Sequence, residues 1–202
     1  MTIVKTASHK TGSVAKPSIL IFAGSNRAGS VNKKLARQTS SVAEQLGIDA
    51  RLIDLKDYPM PLYDGDLEQE HGVPASAEAF AELIKEHDGV IIASPEYNGA
   101  FTPLLKNTID WATRIDKGVL AGKMIGLMSA TPGRGGGKRG LKLLHDWLAN
   151  MRLSIIPEPF SLPQALQAFG EDGTLAPEHQ AGLEAFVGQW LQAVSREEAV
   201  AA

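Results

Sequence analysis

The sequence predicts an α/β protein, with a doubly wound five-stranded parallel sheet ordered 2-1-3-4-5 and helices on both faces. Three observations predict it. Near-unbroken apolar runs at residues 19–23, 89–93 and 124–128 have the composition of strands covered on both faces. Apolar residues at helical spacing fill the intervals between such runs. Several of the runs end in a polar loop rich in Gly, Ser or Pro. Strands alternating with helices make right-handed βαβ units, and 202 residues with 44% hydrophobic content suffice for one such domain with its own core.

The chain divides into a polar extension at 1–16, a single domain at 17–195 and a tail at 196–202. The extension is basic, free of acid and lacks the apolar centre of a secretory signal, so it reads as a free or oligomer-contacting arm. Residues 19–23 form the first strand, and Val31, Leu35, Val42 and Leu46 mark the helix after it. Ala50–Leu55 reads as the second strand. A Pro- and aromatic-rich loop from Lys56 to Asp66 follows, long enough to suggest a functional or interface role. Residues 76–87 form a helix on Phe80, Leu83 and Ile84, with His87 placed to interact with its C-terminal dipole. After the third strand at 89–93, Thr102 and Pro103 supply the N-cap and first-turn Pro of a helix carrying Leu105, Ile109 and Trp111. Met124–Ser129 is the fourth strand, and Leu141, Leu144 and Leu148 mark the next helix. Leu153–Ile156 is read as the fifth strand and 157–163 as an irregular crossing. A last helix from Pro177 buries Leu183, Phe186, Val187, Trp190, Leu191 and Val194, with a solvated end at Glu197-Glu198.

The loop Gly24-Ser25-Asn26-Arg27-Ala28-Gly29-Ser30 joins a strand to a helix N-terminus, where unpaired amides and the helix dipole favour an anion. Two better-known phosphate loops fail. Gly24 and Gly29 have mononucleotide spacing, but Ser30 stands where Lys should be. The dinucleotide glycine pattern is broken by Asn26. Hydroxyls and a guanidinium fork point instead to a terminal monophosphate. In an open parallel sheet, ligands bind beyond the strand C-termini where strand order reverses. Here that point lies between the first and third strands, so Ser94-Pro95-Glu96-Tyr97-Asn98-Gly99 would share the crevice. Four glycines among Gly133–Gly137 let a third backbone approach a flat ligand.

These loops resemble those of the NADPH-dependent FMN reductases of flavodoxin-like fold, a family that includes bacterial quinone, chromate and azo-dye reductases. The resemblance rests on Gly24-Ser25-x-Arg27-x-x-Ser30-x-Asn32-x-x-Leu35, on Pro95-Glu96-Tyr97-Asn98 and on Lys106-Asn107 with Asp110-Trp111. It spans roughly residues 17–156, and more loosely the Ser129–Gly137 loop. It implies FMN as cofactor and NADPH or NADH as reductant, with electrons passed to small-molecule acceptors. By matched position, Ser25, Arg27, Ser30 and Asn32 would hold the FMN phosphate. Pro95, Glu96, Tyr97 and Asn98 would line the isoalloxazine, and Ser129, Gly133 and Gly135 would close its pyrimidine side. No side chain is expected to be catalytic, since the flavin does the chemistry. Arg134, Lys138 and Arg139 are candidates for a 2′-phosphate. The family implies a homodimer or homotetramer, in which the Tyr58–Asp66 loop could shape a shared pocket.

Composition narrows the partners. A net charge of −3 argues against a nucleic-acid binder, and no apolar run reaches the roughly 18–20 residues of a membrane span. The absence of cysteine excludes disulfides and thiolate metal sites and suits a cytoplasmic location. None of the five histidines has a partner pattern for a metal or a triad. Two alternatives stay open. One is a flavin reductase supplying reduced FMN to a monooxygenase. The other is a non-enzymatic flavodoxin-like electron carrier, disfavoured by the near-neutral charge and by Arg27 in the phosphate loop.

Overall fold

A computed structural model describes residues 16–201, the last five as helix alone. The sheet has the predicted order, β2-β1-β3-β4-β5, with every neighbouring pair parallel. Its strands are β1 Ser18–Ala23, β2 Asp49–Asp54, β3 Gly89–Ala93, β4 Met124–Ala130 and β5 Phe160–Leu162. The helices are α1 Val31–Gln45, α2 Gly65–His71, α3 Ala75–Glu86, α4 Pro103–Ile115, α5 Lys138–Asn150 and α6 Pro177–Ala201.

Side chains alternate across a strand, so β1 feeds two cores. Ile19 and Ile21 pack with Leu35, Val42, Ile91, Phe186 and Trp190, under α1 and α6. Leu20 and Phe22 pack with Phe80, Ile84, Ile92, Leu105, Ile109 and Leu144, under α3, α4 and α5. Burying each such side chain contributes about 1.5–3 kcal/mol before chain entropy is subtracted. Register sets the site. Ala23 lies opposite both Asp54 and Ala93, and Ala93 lies opposite Met128, so these strands end almost level.

The predicted fifth strand is corrected. Only Ile155 bridges to β4 there, with Ile125 N donating to Ser154 O and Ile156 N to Ile125 O, each at 2.9 Å. Pro157 and Pro159 have no N–H to continue the ladder, and pairing resumes only at Phe160. Leu46, expected on the buried stripe of α1, is instead its C-cap and 42% exposed. Helix α2 lies partly inside the predicted Lys56–Asp66 loop. It buries no residue, so it carries no apolar stripe for periodicity to detect. Its N-cap is Asp64, whose carboxylate accepts from Asp66 N at 2.9 Å.

The preceding loop is pinned to α4. Asn107 Nδ2 and Trp111 Nε1 both donate to Pro61 O at 2.8 Å, and Tyr63 N donates to Asn107 Oδ1 at 2.8 Å. His87 caps α3 as expected, its Nδ1 lying 2.6 Å from Leu83 O. Among the described residues no helix is long and apolar enough to cross a membrane. The extension, apart from Lys16, and the side chains of Glu197-Glu198 lie outside the described residues.

Candidate active site

The crevice forms where strand order reverses, at the C-terminal ends of β1, β3 and β4. Hydrogen bonds brace its loops against one another. Gly24 N donates to Ala93 O at 2.9 Å, and Ser94 N to Met128 O at 2.8 Å. Thr102 Oγ1, the N-cap of α4, donates to Gly24 O at 2.8 Å and accepts from Leu105 N at 3.2 Å. Asn32 Nδ2 donates to Ala130 O at 2.8 Å, while Ala130 N donates to Asn32 Oδ1 at 2.9 Å. The β5–α6 segment closes the far side through Gln164 N to Gly133 O and Ala165 N to Thr131 O, both 2.9 Å.

Two hollows result. One, of about 150 Å³, is lined by Ser25, Arg27 and Gly29–Asn32 of the first loop, by Pro95–Tyr97 of the second, and by Ala130–Pro132 and Leu166. The other, of about 370 Å³, is lined by Gly24–Arg27, Tyr97 and Thr102–Leu104. Ser25, Arg27 and Tyr97 line both, and Tyr97 is 46% exposed.

The smaller hollow meets the N-terminus of α1. Ser30 is the N-cap in extended conformation, yet its buried hydroxyl makes no capping bond. Ser25 Oγ accepts from Arg27 N at 3.3 Å, which holds the turn that presents the guanidinium. The first amides of a helix have no intrahelical partners, so this corner offers N–H donors, two hydroxyls and a cation together. That donor set fits a phosphate monoester.

The structure separates the predicted residues into those at the hollows and those behind them. Ser25, Arg27, Ser30, Pro95, Glu96 and Tyr97 line the smaller hollow. Asn32 also lines it, but its amide oxygen and one amide hydrogen are engaged by the Ala130 backbone. Asn98 lines neither hollow. It has φ 53° and Gly99 φ 82°, and Tyr97 and Ala100 exchange backbone hydrogen bonds of 2.8 and 3.0 Å around them. Asn98-Gly99 is therefore the tip of a two-residue hairpin, for which Asn-Gly is a strong sequence signal. Gly133 and Gly135 are exposed and also lie outside both hollows, where Ala130, Thr131 and Pro132 take their expected place.

Ser129 is fully buried, and among the described side chains its Oγ alone is buried with no hydrogen-bond partner. It lies beneath Gly137, the left-handed N-cap of α5 with φ 77°. Leu166, 70% exposed, is a lining residue that the sequence did not signal, because it belongs to no periodic run. Arg134, Lys138 and Arg139 are all exposed.

Glu96 turns its carboxylate to α5. Its Oε2 accepts from Gly140 N at 2.9 Å, in the first turn of that helix. Arg139 Nε is 3.7 Å from Oε1 but 86% exposed, so that ion pair adds little. The carboxylate thus brackets the second loop to the third. Glu96→Gln retains an acceptor and should keep turnover within about threefold. Glu96→Ala leaves a helix amide unpaired and should cost about 1–2 kcal/mol. Urea denaturation alongside steady-state rates checks both, and a Gln variant without activity would contradict the bracketing role. Among the described residues no group of three His, Asp or Glu could hold a metal ion.

A 2-1-3-4-5 parallel sheet with its loops gathered at the reversal of strand order defines a flavodoxin-like protein. The model of the NADPH-dependent FMN reductases matches residues 17–167, and the chain belongs to that family of oxidoreductases, whose cofactors are FMN and NADPH. It is 34% identical over 187 residues to a quinone reductase of Escherichia coli K12, covering 89% of this chain and 97% of that one. It is 30% identical over 177 residues to an NAD(P)H-dependent FMN reductase of Pseudomonas aeruginosa, covering 87% and 92%. Among solved structures it resembles FerB, an NAD(P)H:acceptor oxidoreductase from Paracoccus denitrificans. The TM-score there is 0.74 at 27% identity, with 89% of this chain and 98% of that one covered.

Proposed function

We propose that this chain is an NAD(P)H-dependent FMN oxidoreductase that reduces quinone-like acceptors by a ping-pong exchange in one crevice. The observation that carries the reading is the convergence of Ser25, Arg27, Ser30 and Tyr97 at the open N-terminus of α1. Family membership supports it.

In this reading Arg27, the Ser25 and Ser30 hydroxyls and the first amides of α1 hold the FMN phosphate. The Pro95–Tyr97 backbone and the Ala130–Pro132 segment flank the ring. Bound there, FMN supplies hydride acceptance and donation at N5. Tyr97, exposed between the two hollows, forms a wall against which a ring can pack. The larger hollow beside it is where nicotinamide and acceptor enter in turn. Leu166 and Pro132 line the opposite rim. No side chain donates or accepts a proton in this scheme, and the bracketing role of Glu96 agrees with that. We place the active form as an assembly of two or four copies in the cytoplasm. Chromate and azo compounds are further acceptors within the same chemistry.

The test is a visible absorption spectrum of purified protein with added FMN, followed by anaerobic NADPH. Retained flavin that bleaches on NADPH and recovers with a quinone supports the reading. Protein that binds no flavin overturns it. Arg27→Ala should weaken FMN binding by one to two powers of ten, since loss of a charge-assisted phosphate contact costs about 1.5–3 kcal/mol. Flavin fluorescence titration reads this directly, and an unchanged dissociation constant would remove Arg27 from the phosphate site.

A further inference from the structure

A second cavity lies outside the crevice, between α1 and the edge strand β2. It measures about 220 Å³ and is lined by Ala23, Ala36, Leu52 and Ile53, with Lys33, Arg37 and Asp54 as its charged groups. Lys33 follows Asn32 on α1 but is not among the residues lining either hollow of the crevice.

The Lys33 side chain is only 8% exposed, and its Nζ makes one hydrogen bond, 2.6 Å to Asp54 Oδ2. An ammonium carries three N–H donors, so two remain unmatched at a largely buried position. Burying a charged donor without partners is costly, and a polar ligand or ordered water offsets that cost. Asp54 is already committed, since its Oδ1 accepts from Lys56 N at 3.1 Å. Burial pushes the Asp54 carboxyl up, but the hydrogen bonds from Lys33 and Lys56 N outweigh it and hold the group below its ordinary value. It is therefore ionised at neutral pH. Arg37 is exposed and has no side-chain hydrogen bond or ion pair among the described residues.

We propose that this cavity binds a small monocarboxylate with an apolar body, such as an arylcarboxylate or short-chain acid. The charges set the class. Lys33 and Arg37 against Asp54 leave one net positive charge, which a monoanion neutralises, whereas a dianionic phosphate would meet the Asp54 carboxylate. A guanidinium fork matches a carboxylate in two parallel hydrogen bonds. Size agrees as well: an apolar cavity of ~150 Å³ holds benzene, so one ring and its carboxylate suit the volume here. Ala23, Ala36, Leu52 and Ile53 supply the apolar wall.

The experiment is a benzoate titration of FMN-saturated protein, followed by amide and methyl NMR shifts, with benzyl alcohol as the uncharged control. Saturable shifts at Ala36, Leu52 and Ile53 are expected with benzoate and not with benzyl alcohol. Arg37→Gln should weaken benzoate at least tenfold while leaving FMN affinity and turnover unchanged. Lys33→Met alone strands the Asp54 carboxylate, so Lys33→Met with Asp54→Leu is the variant to use, and it should abolish the shifts. Benzoate that shifts only the Tyr97 and Ser30 signals, or equal response to benzyl alcohol, overturns the proposal. Because the readout is local to α1 and β2 and can be repeated without FMN, its failure is distinct from failure of the flavin reading.

Discussion

Replacing Asn32 with Ala should destabilise the protein by about 2–4 kcal/mol and loosen FMN binding at least tenfold. Asn32 is 2% exposed, and its amide makes both hydrogen bonds to the backbone of Ala130, at 2.8 and 2.9 Å. Truncation leaves a buried N–H and a buried C=O unpaired, each costing about 1–3 kcal/mol, less whatever an entering water recovers. The same two bonds fix the first turn of α1 against the end of β4, so their loss also displaces the donors that surround Ser30. Asn32→Asp should be nearly as damaging, because a carboxylate accepts from Ala130 N but repels Ala130 O. Chemical denaturation gives the stability and fluorescence titration the affinity. A loss of affinity without loss of stability would assign Asn32 to direct ligand contact instead.

Gly137→Ala should have the second large effect. The residue sits at φ 77°, and a Cβ built on it would overlap Ser129 Oγ and come within 2.7 Å of Ser129 Cβ. Left-handed backbone costs a side chain about 1–3 kcal/mol, and overpacking a tight contact costs about as much again. The expected loss is therefore about 2–6 kcal/mol, a large share of the roughly 5–15 kcal/mol that holds a typical domain together. Ser129→Ala in the same chain removes the Oγ overlap but not the Cβ contact, so it should recover only part of the loss. Thermal and urea unfolding of the single and double variants separates the two terms. Full recovery by Ser129→Ala would mean that backbone strain at Gly137 contributes nothing.

Both residues show what was legible in the sequence and what was not. Asn32 and Ser129 stood out by their place beside loops; Asn32 lines the smaller hollow, whereas Ser129 is buried behind it. Their roles depend on partners about a hundred residues away or beneath a glycine, and spacing along the chain carries no information about those. The expected strand order matches, and strands β1, β3 and β4 and the caps at Thr102 and His87 were readable because unbroken apolar runs and local capping are short-range signals. Helix α2 was hidden because it buries nothing. The fifth strand was displaced because Leu153–Ile156 has strand composition but the prolines after it stop the ladder. Asn98 was read as a ligand contact although Asn-Gly announces a tight turn, and the structure uses it for one.

The broken fifth strand also bears on how copies of the chain meet in concentrated solution. A parallel sheet has two open margins, each able to template another chain. On the β5 side only Phe160–Leu162 is regular, and Pro157-Glu158-Pro159 places two residues without N–H and one charge just ahead of it. An incoming strand there finds too short a ladder to align on. The β2 side is six residues long and relies on the charges of Asp49, Arg51 and Asp54 instead. Neutralising those charges, rather than altering the β5 margin, is the change that should turn this sheet toward self-association.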